Sequence, residues 1–186
     1  MRKVLYILGQ LNDSDVEWLA QHGTRRALTD GQVIVQEGRA IDTLFITLSG
    51  QFRVSLRDGQ EVARLAAGEV VGEISFVDAS PPGATVTALG AASVLALPKS
   101  LLQQRLSADA PFAARFYRAL AIFLADRLRA TTRRLGYGTV GDLDSEGVLQ
   151  DELDAGVLDT LSQAGDRFAR LLQKLAGGEC RSGIDR

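Results

Sequence analysis

The sequence predicts a mainly β fold with flanking helices, an antiparallel sandwich or barrel, and three observations carry that prediction. From Arg25 to Pro98 apolar residues fall at every second position in several short runs, the period of half-buried strands. Glycine corners separate the runs: Asp30-Gly31, Glu37-Gly38, Ser49-Gly50, Asp58-Gly59, Ala67-Gly68 and Gly90, with no crossover helices among them. On either side the period becomes helical, at Leu11 to His22 and again from Lys99 onward.

The first helix begins at an Asn12 N-cap, with Asp13 and Asp15 at the positive end of its dipole, and Gly23 ends it. His22 reads as a surface residue of the last turn. The plainest strand runs are Val33 and Val35; Leu44, Ile46 and Leu48; and Phe52, Val54 and Leu56. Asp58-Gly59 is the strongest hairpin signal. After Pro98 a short helix is expected over Lys99 to Leu106, and then a sustained one over Phe112 to Leu135, with Pro111 tolerated in its first turn. Its apolar face is wide enough to cover a core, a partner helix or both. Its polar side carries Arg115, Arg118, Arg127, Arg129, Arg133 and Arg134 against a lone Asp126. From Gly136 to Asp159 there are seven acids and no lysine or arginine, which reads as a loosely ordered arm able to lie over that basic helix. A last amphipathic helix, Leu158 to Leu175, stops at Gly177-Gly178 and must dock somewhere to be stable.

Composition removes several function classes. The 186 residues are 46% hydrophobic and 24% charged, those of a soluble globular protein, and the net charge of −2 gives no reason to expect nucleic acid. With a single cysteine, Cys180, and a single histidine, His22, neither a disulfide framework nor a histidine-rich metalloenzyme can be assembled within one chain. There is no nucleophile and base pair and no Walker loop, so an enzyme is not expected, nor a catalytic metal or cofactor. The apolar run in MRKVLYILG is too short for a signal peptide and no segment approaches a membrane span, so the expected compartment is the cytoplasm.

The stretch with the most chemistry in it is Val70 to Val86, VVGEISFVDASPPGATV. It reads as a strand end, a Gly72-Glu73 turn, one helical turn through Phe76, a tight loop at Pro81-Pro82-Gly83 and a new strand from Ala84. Gly72 allows close backbone approach, and the turn after it leaves amide N–H groups unpaired, a seat for an anion. Taken with the pattern EG, then LFITLSG, then GEVVGE, the stretch resembles the phosphate-binding cassette and jelly roll of the cyclic-nucleotide-binding domain, as found in the catabolite activator (FNR-like) and kinase regulatory-subunit families. The resemblance implies an antiparallel jelly roll followed by a long helix, and a cyclic nucleotide as ligand. It places the ribose hydroxyl on Glu73 and the phosphate on the amides of Ile74, Ser75, Ala84 and Thr85, with Gly72 and Gly83 shaping the loop. It also places the base near Thr131 and Thr132 of the long helix. One position departs from the pattern: Pro82 stands where those families have an arginine that pairs with the phosphate. Loss of such a charged hydrogen bond predicts cyclic AMP binding about one to two powers of ten weaker, with Arg39 or Arg53 as distant substitutes.

The sequence is therefore partitioned into a cyclic-nucleotide-binding-like domain over residues 1–135 that includes the long helix 112–135, an acidic linker 136–157, a C-terminal helix 158–176 and a frayed tail 177–186. LSQAGDRFARLLQKL is too short for the turn and recognition helix of a DNA reader and reads as one amphipathic helix. The expected function is a sensor of a small anionic ligand that acts on a protein partner through its long helix, as a homodimer through residues 112–135. The alternative is a ligand-free adaptor or structural subunit with a degenerate pocket, and a DNA-binding transcription regulator stands behind both.

Overall fold

The computed structural model describes residues 8–136 and 155–177. Cys180, most of the acidic linker and the last tail residues lie outside them. Helix α1 (Asp13–His22) opens on a capping box: Asn12 accepts from the Asp15 amide at 2.8 Å while the Asp15 carboxylate accepts from the Asn12 amide at 3.0 Å. Six strands follow in one antiparallel sheet: β1 (Thr24–Leu28), β2 (Val33–Val35), β3 (Thr43–Ser55), β4 (Glu61–Leu65), β5 (Val70–Val71) and β6 (Thr85–Pro98). Its order is β1-β6-β3-β4, with β2 on β6 and β5 on β3. A mainly β, antiparallel architecture with flanking helices is thus what the sequence forms.

Two strands are longer than the sequence suggested. The Ser49-Gly50 and Gly90 signals, read as corners between short strands, mark irregularities inside β3 and β6. The register of the two strands slips on both sides of Ser49, and Gly50 and Gly90 sit at φ +85° and +71°. Glycine is required at Gly50 on a second count, because a Cβ there would stand 2.5 Å from that of Ala92. Asp58-Gly59 does close a hairpin between β3 and β4, with Gly59 at φ +85°.

Alternation along β3 and β6 sorts their side chains into two cores. Phe45, Phe52, Val54, Val86, Val94 and Ala96 fill the inside of the roll, with Leu65 and Val71. Leu44, Ile46, Leu48, Leu95 and Leu97 face outward and are covered by helices. The covering helices are α1, α3 (Lys99–Ala108), α4 (Ala110–Gly136) and α5 (Ala155–Gly177), and the small cassette helix α2 (Ile74–Val77) contributes Phe76. Asp109 caps α4, accepting from the Phe112 amide at 3.0 Å. The final segment is a single helix running through Gly165, and it docks by burying Ala164, Phe168 and Leu171 in the outer core. Its cations meet the acids of α1: Arg167 and Arg170 reach Asp13 at 2.8 and 3.0 Å, and Lys174 reaches Glu17.

Candidate functional site

The cassette is built at the end of β5. Gly72 adopts φ +90°, and a Cβ there would stand 3.1 Å from the Thr43 carbonyl oxygen, so both conformation and space call for glycine. The turn feeds directly into α2. First-turn amides have no partner within their own helix, and among the described residues those of Ile74 and Ser75 donate to no backbone oxygen outside it. Beyond α2 the Pro81-Pro82-Gly83 loop is tied back to the roll: the Gly38 amide donates to the Pro82 carbonyl at 2.7 Å, and the Glu37 amide to the Thr85 hydroxyl at 3.1 Å.

These segments enclose a hollow of about 80 Å³ between the cassette and the inside of the roll. Gly72, Glu73, Ile74, Ser75, Pro82, Gly83 and Ala84 all line it, over an apolar floor that includes Val54, Leu65, Val71 and Val86. Thr85, the eighth cassette candidate, stands at the start of β6 with its hydroxyl engaged by Glu37 and does not line the hollow. Gly83 has an ordinary backbone and open space where a Cβ would go, so it is not a forced turn residue.

Glu73 is the electrostatic centre. The residue is 2% exposed, and burial pushes its carboxyl pKa up. Arg127, which reaches in from α4 to form an ion pair with Glu73, opposes that rise, as do the amides of Gly72 and Glu73. The sequence placed Arg127 only among the arginines on the polar side of the long helix, whereas in the structure it lines the hollow. Arg115, from the same run, instead binds the fully buried Asp15 of α1 through two hydrogen bonds of 2.7 and 3.0 Å.

The other candidates are not brought to this place. Thr131 and Thr132 are exposed, and their hydroxyls donate to the helix's own carbonyls at Arg127 and Leu128, 2.9 and 3.0 Å away. Arg53 alternates with Phe52 and Val54, which face the interior, so it points to the opposite side of the sheet. Arg39 lines a different cleft. Neither of these arginines stands where the missing one would.

Residues 25–109 match the family model of the cyclic nucleotide-binding domain. The chain carries a cyclic nucleotide-binding domain. A solved domain of that kind from Methylobacillus flagellatus is similar with a TM-score of 0.67 and 24% identity, over 76% of this chain and 85% of its own. The N-terminal domain of a Streptomyces coelicolor transcriptional regulator is 29% identical with a TM-score of 0.56, over 77% of this chain and 99% of that domain. Among curated proteins, an uncharacterized NTE family protein of Mycobacterium tuberculosis is 27% identical over 128 residues, which are 69% of this chain and 22% of that protein. The chain thus spans about a fifth of the curated relative. Among the described residues no helix is long and apolar enough to cross a membrane.

Proposed function

We propose that the chain is a sensor that takes a cyclic nucleotide into the cassette hollow and passes the event to α4. The observation that carries this reading is the convergence of the cassette with the Arg127–Glu73 pair: one side chain of the long helix closes the hollow on the acid expected to hold a ribose. A ligand hydroxyl accepted by Glu73, and a negative charge close to Arg127, both compete with that ion pair. Entry of the ligand therefore changes what holds α4 in place. Phe76 of α2 packs edge-on against Phe116 of α4, ring centroids 6.0 Å apart, and gives the cassette a second grip on the same helix.

The output surface follows from how α4 divides its apolar residues. Phe112, Phe116, Ala119, Leu120 and Phe123 are buried in the chain's own core, so they are not offered to a partner. Ala114, Tyr117, Ala121 and Leu128 are exposed on the outer side, Tyr117 by 50% and Leu128 by 68%, and with Leu124, which is half-buried against the core at the edge of this stripe, they recur at alternating spacings of three and four. That is the spacing of a coiled-coil seam, and it supports a homodimer through this stripe.

A second reading, an adaptor without a ligand, is favoured by the hollow's small volume and by Pro82. Calorimetry with cyclic AMP and cyclic GMP separates the two. Heat of binding that is lost in Glu73→Ala supports the sensor; no heat from either nucleotide with a folded protein overturns it. Pro82→Arg adds a test of the pocket itself: the expected result is at least tenfold tighter binding, about 1.4 kcal/mol, and an unchanged affinity counts against the assignment.

A further inference from the structure

A second and larger cleft lies apart from the cassette hollow. Its volume is about 700 Å³, inside the range of about 300–1,000 Å³ common for small-molecule sites and well above that of the cassette hollow. It opens along the free edge of the roll, between β2, the Arg39–Thr43 loop and β1. Val35, Ile41 and Phe45 give it an apolar floor.

Two guanidinium groups border that floor. Arg26 stands opposite Val94 in the β1–β6 register, and directly paired residues share a face of the sheet. Val94 belongs to the interior core, so Arg26 leaves the sheet on the concave side. Arg39 enters from the loop and lines the same cleft. Among the described residues neither has an ion-pair partner. The cleft's one acid, Asp42, accepts a hydrogen bond from the Thr43 hydroxyl at 2.8 Å. Two cations against one carboxylate leave one positive charge in excess beside the apolar floor.

We infer that this cleft is a second binding site, one that takes a small amphipathic carboxylate with its apolar body on Val35, Ile41 and Phe45 and its charge between Arg26 and Arg39. A neutral apolar molecule gains only the floor, and a small hydrophilic anion only the wet rim, where exposed ion pairs contribute little. The combination is what the site selects. Val35 also lines the cassette hollow, so the two sites share a wall residue.

Decanoate serves as the probe and decanol as its uncharged counterpart, with binding followed by calorimetry and by amide chemical shifts on the whole chain. The expected result is saturable decanoate binding, with shifts at residues 33–36 and 39–45, that weakens at least about tenfold in the double variant Arg26→Ser/Arg39→Ser. Val33→Asp, a change at a half-exposed rim position, is expected to weaken it as much by placing a carboxylate in the cleft. Thermal melts establish that each variant is folded. Absence of decanoate binding, equal affinity in the folded variants, or decanol bound as tightly as decanoate overturns the inference. None of these outcomes depends on whether the cassette takes a cyclic nucleotide.

Discussion

Replacing Arg127 by methionine isolates the interaction on which the cassette geometry turns. The substitution keeps the length of the side chain and removes its charge, leaving Glu73 lining the hollow with Val54, Val71 and Val86 but without its ion-pair partner. Breaking a fully buried pair costs about 3–5 kcal/mol, but the Arg127 side chain is 34% exposed and water screens part of its field, so about 2 kcal/mol is expected at neutral pH. For a chain of this size that is a fall of about 4–8 °C in melting temperature. The sign of the pH dependence provides the sharper test. Burial raises the folded-state pKa of Glu73 above its ordinary 4.5, so the buried charge is a burden only above that region, and stability is lost as pH rises through the folded pKa. Without Arg127 that pKa climbs further, and the variant's deficit shrinks when the pH is lowered towards 4.5 and the carboxyl takes up a proton. Urea melts of both proteins at pH 7 and pH 5 measure this directly. A deficit below about 0.5 kcal/mol, or one equal at the two pH values, would refute the view that Arg127 neutralises a buried carboxylate.

Gly72→Ala is expected to cost about 1–2 kcal/mol because it combines a left-handed backbone with a close carbonyl, whereas Gly83→Ala, with open space at its Cβ, should stay within about 0.5 kcal/mol in the same melts. Asp13→Asn should loosen α5 at neutral pH, seen as faster amide exchange in residues 164–175. Arg167 and Arg170 lower the Asp13 pKa below 3.8, so in the parent protein the same loosening should appear only as pH falls below that value. Leu128→Glu should convert a dimer to a monomer in sedimentation velocity while leaving the melting temperature nearly unchanged; a parent chain that is already monomeric would refute the outer-seam assignment.

Local chemistry explains what could be read without coordinates. The Asn12 cap, the Asp58-Gly59 hairpin and the close backbone approach at Gly72 each follow from a residue type acting over three or four positions. The cassette was legible because its residues lie within one stretch, and seven of eight do converge on one hollow. Contacts set by tertiary packing were not. Asp15 looked like a helix-dipole residue, yet it is also the buried partner of Arg115, one hundred residues away. Arg127 was one arginine among six on a helix face, and nothing local distinguished it from Arg118 or Arg129. A helical turn separates Arg127 from Thr131, enough to carry the threonine past the rim and leave its hydroxyl on the backbone. Gly50 and Gly90 misled because glycine at positive φ serves a bulge as readily as a turn.

The alternating side chains of β3 put a single thickness of backbone between the Phe45 and Val54 side of the wall and the Leu44 and Ile46 side. Nothing soft lies between the two compartments, and close-packed interiors hand on displacement instead of absorbing it. A guest that spreads the inner layer must therefore push on the helices outside, and a helix that shifts must reshape the chamber behind it. Any message in this molecule can travel in both directions through the same partition.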